Sequence, residues 1–561
     1  MNGPVVDGPV VDGTAVDGPA VDGPAVNGPV GVVGAGTMGA GIAQVAAVAG
    51  RRVLIADAAG GAAARAVAAV RDRVKAQVAK GRLSVDPDAL DLTAVESVAE
   101  LAGCAVVIEA VAEDLAVKRA LFAELEAVVA ADAILASNTS SLSPTALAAG
   151  LTSPRRLVGL HFFNPVPAMR LVEVISGLAT APEVADAAAG LAAEWGKTVV
   201  RSTATPGFIV NRIARPFYAE AWRLYEEHAA VPQHIDAVLT GAGGFRMGPF
   251  ALMDLIGHDV NEAVTRSVWA AFGHDPRFAP SLAQRALVEA GWLGRKAGRG
   301  VYPADGAPAP APAPAVPPPP AVTEHAPPSA AGEPRAAGDH TPAGDHTPAG
   351  DHGAALGRAS SPLRPLLERA GVAIVPGNRD DAGAGLPGGL VELPSGALLA
   401  VCEGVTATSL SAAFERPVIV ADRVLDPATA TAIAIAASDG CPPVAAAEAV
   451  GLLQAAGLEV YLIDDTPGLI VTRTVAMLAN LAADALACRV ATEPDIDNAM
   501  RLGVNYPLGP LAWARQWGIG TVLRILDSLD DWYRDGRYRP SPLLRRTALS
   551  HRAAATGAGR A

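Results

Sequence analysis

A glycine-rich turn between an apolar strand and an apolar helix most constrains the fold of this chain. A short apolar strand is predicted at residues 30–33, and a second strand at residues 52–56 leads to Asp57. Glycines permit a tight turn and close backbone approach, while the N-terminus of the following helix favours a pyrophosphate. The predicted cofactor-binding residues of this turn are Gly34, Gly36, Thr37, Met38 and Gly39. The alternative is a glycine-rich turn that binds no ligand.

Asp57 adds a second, independent feature to the turn. It lies 23 residues after Gly34, where a carboxylate can accept hydrogen bonds from an adenosine ribose. Because a carboxylate at this position would repel a 2′-phosphate, the pattern predicts NAD rather than NADP. Strand, turn, helix, strand and acid in register form a more specific signal than the glycine pattern alone.

The segments after Asp57 alternate between strands and helices. Further strands are predicted at residues 105–108 and 133–136. This alternation predicts a doubly wound parallel sheet of the Rossmann type, an α/β fold that binds ligands beyond the carboxyl ends of its strands. Residues 137–141 directly follow such a strand, so we expect a substrate-handling loop there.

A histidine and a glutamate form the candidate catalytic pair. His161 is followed by two phenylalanines, and Glu173 lies twelve residues beyond it. The ordinary pKa of histidine is near neutrality, so His161 can take a proton from an alcohol if a second group holds its tautomer. Glu173 is the candidate for that second group. The alternative is a core histidine with satisfied hydrogen bonds.

A helix with five basic side chains is the basic cluster nearest to this predicted site. These side chains are Arg65, Arg71, Arg73, Lys75 and Lys80. Two interpretations stay open: a binding patch for an anionic ligand, or a solvated helix face.

Composition excludes several classes of function. The net charge of −13 argues against nucleic acid as a partner. Residues 29–50 carry no charge but contain several glycines, so they predict a strand, turn and helix rather than a membrane span. No secretory signal is predicted, and four dispersed cysteines without a CxxC pair fit a reducing cytoplasm without metal sites or disulfides.

The length of 561 residues requires several domains. After residue 205 the pattern becomes helical, and an octapeptide beginning at Thr205 recurs at Thr466, 261 residues later. We therefore predict a duplicated helical domain. The predicted order is a disordered repeat tail (1–28), an NAD-binding domain (29–204), a helical domain (205–302), a Pro-rich linker with a His-Asp repeat (303–362), a degenerate Rossmann-like segment (363–465) and a second helical copy (466–561).

These motifs resemble the L-3-hydroxyacyl-CoA dehydrogenase family. The resemblance covers residues 30–302 almost continuously, including the glycine-rich turn, residues 137–141, His161 to Pro167, Glu173 and the segment from Thr205 to Arg212. The duplicated helical domain resembles longer bacterial members that act on 3-hydroxybutyryl-CoA or 3-hydroxyadipyl-CoA in fatty-acid β-oxidation and phenylacetate catabolism.

The family resemblance implies a role for each matching residue. His161 would remove the 3-hydroxyl proton as hydride passes to NAD, and Glu173 would orient it. Ser140 and Asn211 would hold the substrate oxygen and the thioester. The implied NAD contacts are Asp57, Glu113, Lys118, Ser140, Asn164 and Lys296. Lys80 would meet the CoA phosphates, and Arg73 occupies a CoA-contact position at which relatives commonly carry a small polar residue.

Asn211 is replaced by Thr472 in the second copy, so no second active site is expected. Relatives with one helical domain dimerise through it, and the two copies here are expected to form an internal pseudo-dimer, with a homo-oligomer also possible. Two rival functions stay open: a dehydrogenase for a small free β-hydroxy acid, and a non-catalytic NAD-binding structural protein. The second is weakened because His161, Glu173, Ser140 and Asn211 occur together, which packing does not require.

Overall fold

The chain forms two compact units. The computed structural model describes residues 26–325, 363–376 and 389–557. The first unit contains the residues up to 139 and residues 144–199, and the second contains residues 140–143 and the chain from residue 200 onward. Most of the predicted N-terminal tail and the His-Asp repeat lie outside the described residues.

The first unit is built around a largely parallel sheet. Its strands are β1 (Val30–Val33), β2 (Val53–Ala56), β3 (Leu92–Ala94), β4 (Val106–Glu109), β5 (Ile134–Ser137), β6 (Leu157–Phe162), β7 (Leu171–Ser176) and β8 (Thr198–Thr203), the last of which leads into the second unit. Their order is β3-β2-β1-β4-β5-β6-β7-β8. The order reverses beside β1, and the carboxyl ends of β1 and β4 flank that switch point, where such sheets bind ligands. The predicted doubly wound fold is confirmed.

Helices cover this sheet and provide its core with small side chains. They are α1 (Thr37–Val48), α2 (Ala62–Ala79), α3 (Leu115–Val128), α4 (Pro144–Ala148) and α5 (Pro182–Glu194). Valines and isoleucines of β1 and β2 are fully buried, as is Ile42 of α1. Their β-branched side chains suit a strand that is covered on both faces.

The second unit begins with a helical layer. It consists of α6 (Val210–Ile213), α7 (Arg215–Glu226), α8 (Pro232–Gly241), α9 (Pro249–Ile256), α10 (His258–Ala271) and α11 (Leu282–Glu289). Proline stands in the first turn of α7, α8 and α9, where its missing N–H group costs no helical hydrogen bond.

A second, mixed sheet follows. Its elements are β9 (Ala321–Glu324), α12 (Arg364–Ala370), β10 (Ala373–Pro376), β11 (Val391–Glu392), β12 (Leu398–Val401), α13 (Ala407–Phe414), β13 (Val418–Ala421), β14 (Ala432–Ala437), α14 (Pro443–Ala455) and β15 (Glu459–Leu462). The strand order is β10-β9-β11-β12-β13-β14-β15.

The predicted linker at residues 303–362 is wrong in part. Strand β9 lies within it and pairs with both β10 and β11. Just upstream, the backbone N–H of Ala313 donates to the carbonyl of Val460 at 2.7 Å. This stretch contains apolar residues such as Val322, which is 2% exposed, and their burial stabilises it despite its many prolines.

The second helical copy ends the chain. It consists of α15 (Val471–Ala487), α16 (Glu493–Gly503), α17 (Pro510–Trp517), α18 (Ile519–Tyr533) and α19 (Pro542–Gly557). None of the helices in the described part of the chain is both long enough and apolar enough to cross a membrane.

Backbone geometry repeats between the two halves at the predicted spacing. Phe208 and Leu469, 261 residues apart, both adopt positive φ angles, 48° and 42°. Asp236 accepts from the N–H groups that open α9, and Asp497 does the same for α17. Burial raises the pKa of both carboxyls, that of Asp236 to about 6.

The repeat also extends further upstream than the sequence analysis predicts. Strands β7 and β14 begin at Leu171 and Ala432, again 261 residues apart, and helices α5 and α14 begin at Pro182 and Pro443. The second sheet therefore contains a copy of the last part of the first. Few side chains are shared, so the match is visible in the elements rather than in the residues.

Candidate active site

The glycine-rich turn leaves open space where a ligand can approach the backbone. Gly34 has φ 104°, and a Cβ atom there would lie 2.6 Å from the carbonyl oxygen of Ala110. A Cβ atom on Gly39 would lie 1.8 Å from the carbonyl oxygen of Gly34, so both positions require glycine. No protein atom lies within 4 Å of a Cβ atom built on Gly36. The turn therefore fits a pyrophosphate at the N-terminus of α1.

Polar groups at the start of α1 agree with this assignment. No side chain caps the helix at Gly36, so its first N–H groups are not used by a cap. Thr37 is exposed beside the turn, whereas Met38 packs partly against the hydrophobic core. Asp57 follows β2, and its carboxylate accepts from the N–H groups of Ala35 at 2.6 Å and Ala59 at 2.8 Å.

A buried ion network stands at the carboxyl ends of β4 and β5. Lys118 is 1% exposed, and its ammonium lies 2.7 Å from Glu109 and 3.0 Å from Glu113. Glu109 also accepts from the Ser137 hydroxyl at 2.7 Å, and Glu113 accepts from the Thr139 hydroxyl at 2.6 Å. Glu113 and Lys118 are predicted from the sequence, whereas Glu109 is not. The signal that could have found Glu109 is an acid at the end of an apolar strand.

The predicted catalytic pair forms across two antiparallel strands. His161 on β6 stands directly opposite Glu173 on β7 in the strand register. The imidazole Nδ1 lies 2.6 Å from Glu173 Oε2, and the two side chains are 8% and 0% exposed. A carboxylate at this distance favours the tautomer with the proton on Nδ1 and makes Nε2 the basic nitrogen.

Two further groups support the strand that carries His161: Asn138, which lies in the predicted loop at residues 137–141, and Lys197, which is not predicted from the sequence. The side-chain oxygen of Asn138 accepts from the N–H of Phe162 at 2.9 Å. The Lys197 ammonium donates to the carbonyls of Val166 at 2.5 Å and Met169 at 2.8 Å, and so ties down the loop that follows β6. Burial lowers the pKa of Lys197 to about 8.

Ser140 and Asn211 line one cavity of the second unit. The cavity measures about 330 Å³, and its walls include Val264, Val268 and Ala271 of α10. The Asn211 side chain donates to the carbonyl of Ser140 at 3.4 Å. Amide and hydroxyl groups above an apolar wall suit an acyl thioester, whose polar head continues into a hydrocarbon chain.

The remaining predicted contacts have surroundings of different kinds. Asn164 is exposed after β6, and the Lys296 ammonium lies 2.6 Å from Asp259. Lys80 and Arg73 are exposed on α2 and its C-terminus, and neither forms an ion pair within the described residues. Partial burial lowers the pKa of the Arg73 guanidinium.

Two other basic side chains of α2, Arg71 and Lys75, have partners within the protein. Arg71 donates to the backbone carbonyls of Pro87, Leu90 and Leu92, and Lys75 lies 3.0 Å from Asp88. The contacts of Arg71 and Lys75 are therefore with the protein itself, which does not support a binding patch at these two residues.

The second sheet lacks the predicted catalytic pair. At the repeat spacing, Asp422 stands in place of His161 and Ala434 in place of Glu173. The buried Asp422 carboxylate accepts from the N–H groups of Ile470, Val471 and Thr472, and from the Thr472 hydroxyl at 2.7 Å. Asp422, which stands at the position equivalent to His161, therefore stabilises the start of α15.

Family models match most of the chain. The model described as "3-hydroxyacyl-CoA dehydrogenase, NAD binding domain" matches residues 29–205. The model for the C-terminal domain of that family matches twice, at residues 207–304 and 468–559. A third, described as "3-hydroxybutyryl-CoA dehydrogenase reduced Rossmann-fold domain", matches residues 399–467.

Individual proteins are similar to all or to part of this chain. A relative from Escherichia coli (strain K12), named 3-hydroxyadipyl-CoA dehydrogenase, is 43% identical over 511 residues, 91% of this chain and 94% of the relative. A crystal structure titled 3-hydroxybutyryl-CoA dehydrogenase from Escherichia coli K12 has a TM-score of 0.80 at 41% identity and covers 94% of this chain and 99% of that chain. The mitochondrial hydroxyacyl-coenzyme A dehydrogenase of Sus scrofa is 38% identical over 46% of this chain and 86% of its own length.

Proposed function

Because the chain belongs to the 3-hydroxyacyl-CoA dehydrogenase family, we propose that it oxidises an (S)-3-hydroxyacyl-CoA to the 3-oxoacyl-CoA with His161 and Glu173 as a general-base pair. The observation that carries this proposal is the 2.6 Å contact between the His161 imidazole and the buried Glu173 carboxylate. A base held in one tautomer beside a cofactor-binding sheet is what removal of a hydroxyl proton requires.

Each residue of the site contributes a separate step. Nε2 of His161 takes the proton of the 3-hydroxyl group, and the Glu173 carboxylate stabilises the imidazolium that results. General-base assistance of this kind contributes roughly 10²–10⁴ in rate. Ser140 and Asn211 are proposed to hydrogen-bond the oxygen of the reacting carbon and the thioester, which restricts the orientation of the substrate.

The glycine-rich turn and Asp57 are proposed to bind NAD. Bound NAD supplies the acceptor for the hydride that leaves C3. Gly34, Gly36 and Gly39 admit its pyrophosphate, and Asp57 receives the adenosine ribose. Glu113, Lys118, Asn164 and Lys296 are proposed further contacts, as are Lys80 and Arg73 for the phosphates of CoA.

The names of the relatives point to two acyl groups. One relative is named for 3-hydroxyadipyl-CoA and the similar crystal structure for 3-hydroxybutyryl-CoA. We propose that one of these thioesters is the substrate here, in fatty-acid or phenylacetate catabolism, and that the reaction takes place in the cytoplasm.

The first test is NADH oxidation by the purified protein with acetoacetyl-CoA, with free acetoacetate in parallel. We expect turnover of the thioester alone, and we expect His161→Ala to abolish most turnover while NADH still binds. Turnover of free acetoacetate would instead indicate a dehydrogenase of small hydroxy acids. A His161→Ala variant that lost NADH affinity and turnover equally would contradict the catalytic role of His161.

We also propose that the two helical copies form an internal pseudo-dimer. Helix α7 of the first copy packs on α15, its counterpart in the second. Arg473 is fully buried and lies 3.3 Å from Glu220 and 3.2 Å from Glu227. At the repeat spacing the equivalent pair is Arg212 with Cys488, where a thiol takes the place of the carboxylate. Packing of a helix on its own repeat is what a two-fold interface produces.

Further charged contacts join the copies. Arg277 pairs with Asp484, and Arg539 lies 2.7 Å from Asp275. Burial alone would raise the pKa of Asp275, but hydrogen bonds from Arg277 and Arg539 outweigh it and lower that pKa to about 2. Removing residues 363–561 should expose the apolar face of α7 and cause dimerisation or aggregation. A soluble, active monomer after this deletion would contradict the pseudo-dimer.

A further inference from the structure

A buried arginine of the second unit has no charged partner. Arg215, at the start of α7, is 5% exposed. Its Nη1 donates to the Thr265 hydroxyl at 3.1 Å, and its guanidinium stacks over the Tyr218 ring at 5.0 Å. Its Nε is buried without a hydrogen-bond partner, and no carboxylate of the described residues pairs with it. Burial without a counter-charge lowers the pKa of this guanidinium.

Arg215 lines a cavity of about 240 Å³ between α7, α10 and α11. The other charged side chains that line the cavity are engaged: Arg223 with Glu220, Arg537 with Asp535, Glu226 with Ser281, and Glu227 with Arg473. Glu226 is exposed and accepts from the Ser281 hydroxyl and the Ala283 N–H, so Arg215 is the buried charge of this lining that has no charged partner among the described residues. An uncompensated buried charge is costly, and a bound anion would remove that cost.

The position of Arg215 connects this cavity with the proposed substrate site. Asn211 lines the substrate cavity, and Arg215 follows it by four residues, with Ala214 between α6 and α7 in helical conformation. Residues four apart on a helix lie on one face, about 6 Å apart along the axis. On the facing helix α10, Val264 and Val268 line the substrate cavity and Thr265 lines the cavity of Arg215. An acyl chain that passes Asn211 along this face approaches the guanidinium.

We propose that Arg215 binds a carboxylate at the far end of the acyl chain, so that the substrate is a 3-hydroxydicarboxylyl-CoA. This inference rests on the proposed function and names the substrate class within it. Arginine presents a planar pair of N–H donors that matches a carboxylate. A methyl group at the same place would leave the guanidinium unpaired, so the site discriminates against the monocarboxylic chain of equal length. The Thr265 hydroxyl is a positioning group that fixes the guanidinium.

The test compares 3-hydroxyadipyl-CoA with 3-hydroxyhexanoyl-CoA, two thioesters of equal chain length that differ in a terminal carboxylate or methyl group. We expect the wild type to favour the dicarboxylic thioester. Arg215→Met should lower the ratio of the two kcat/KM values on the order of 10- to 100-fold, because one charge-assisted interaction is lost. Arg215→Lys should retain part of the preference. Thr265→Val, a second variant that keeps the charge, should lower the ratio roughly 2- to 10-fold.

The matched control is Arg285→Met, which removes an exposed arginine of α11 that pairs with Glu289 and should leave the ratio unchanged. Arg215→Met should also melt no earlier than the wild type, because a buried unpaired charge is replaced by an apolar side chain. An unchanged ratio in Arg215→Met and in Thr265→Val would overturn the inference. The inference would also be overturned if free adipate stabilised the wild type but not Arg215→Met while the ratio stayed unchanged. The site would then bind a free anion rather than the end of the acyl chain.

Failure of the proposed function gives a different result. If the wild type oxidises neither thioester, both the function and this inference fall. If it oxidises both thioesters and Arg215→Met changes both kcat/KM values by the same factor, the dehydrogenase function stands. The carboxylate site is then refuted, and Arg215 is a structural residue.

Discussion

Replacing Glu173 by glutamine tests the catalytic pair with almost no change in side-chain volume. The carboxylate is 0% exposed, and its Oε2 lies 2.6 Å from Nδ1 of His161. A hydrogen bond to a charged group contributes about 1.5–3 kcal/mol, so its loss should lower kcat roughly 10- to 150-fold. A glutamine NH₂ that faces Nδ1 also favours the tautomer with the proton on Nε2, which cannot act as the base. We therefore expect the larger loss.

The assay is NADH oxidation with saturating acetoacetyl-CoA, the reverse reaction, in which the His161 imidazolium returns the proton through the same transition state. It is accompanied by titration of NADH binding and by thermal melting. NADH affinity should stay close to that of the wild type, since Glu173 belongs to the proposed proton-transfer step and not to the cofactor turn. The matched control is Glu126→Gln, which changes a half-buried carboxylate of the same unit that accepts from the N–H groups of Thr152 and Ser153. That variant should melt earlier and retain kcat. A Glu173→Gln enzyme whose kcat stays within about threefold of the wild type, less than one such hydrogen bond is worth, would refute the reasoning.

Three further predictions concern the cofactor turn and the contact between the helical copies. Gly39→Ala should prevent stable folding, because its Cβ would lie 1.8 Å from the Gly34 oxygen. Gly36→Ala should fold normally but bind NADH less tightly. Thermal melting tests the first expectation, and an NADH titration tests the second. Asp57→Ala should raise activity with NADPH relative to NADH, since the carboxylate that repels a 2′-phosphate is gone, and an unchanged cofactor preference would contradict its role. Asp275 has a folded pKa of about 2, below its ordinary 3.8, so its stabilising effect is complete above pH 4 and disappears as the pH falls to 2. Asp275→Asn should therefore lower the free energy of unfolding by about 2 kcal/mol at neutral pH in urea titrations, and the difference should shrink between pH 4 and pH 2.

Short-range motifs can be interpreted from the order of the residues alone. The turn at Gly34, Gly36 and Gly39 with Asp57 specifies a strand, a tight loop and a helix through local backbone geometry. The repeat that begins at Thr205 is visible because its residues are shared at one spacing. Both predictions concern neighbours in the chain or identical side chains, and the fold and the family agree with them.

Predictions that require knowledge of pairing or burial are less complete. The segment at residues 363–465 is predicted to be Rossmann-like, but its 261-residue spacing is not predicted, because β14 and α14 retain the elements of β7 and α5 but few of their side chains. The linker prediction is wrong at β9. The high proline content predicts an extended linker, but four of its residues pair with strands that are distant in the sequence. Glu109 and Lys197 are missed because an isolated charge in the sequence does not reveal its partners.

His161 and Glu173 illustrate the division between local and tertiary information. Their residue types and the surrounding motifs predict a base and its carboxylate. The register of β6 against β7 then places them directly opposite each other, and the covering helices remove both from water. Arg215 shows the reverse case: nothing beside it in the chain distinguishes it, and it becomes a candidate for substrate selection only because folding buries its charge without a counter-charge. Local backbone preferences act within a few residues, whereas burial and charge pairing depend on segments that meet only when the chain has folded.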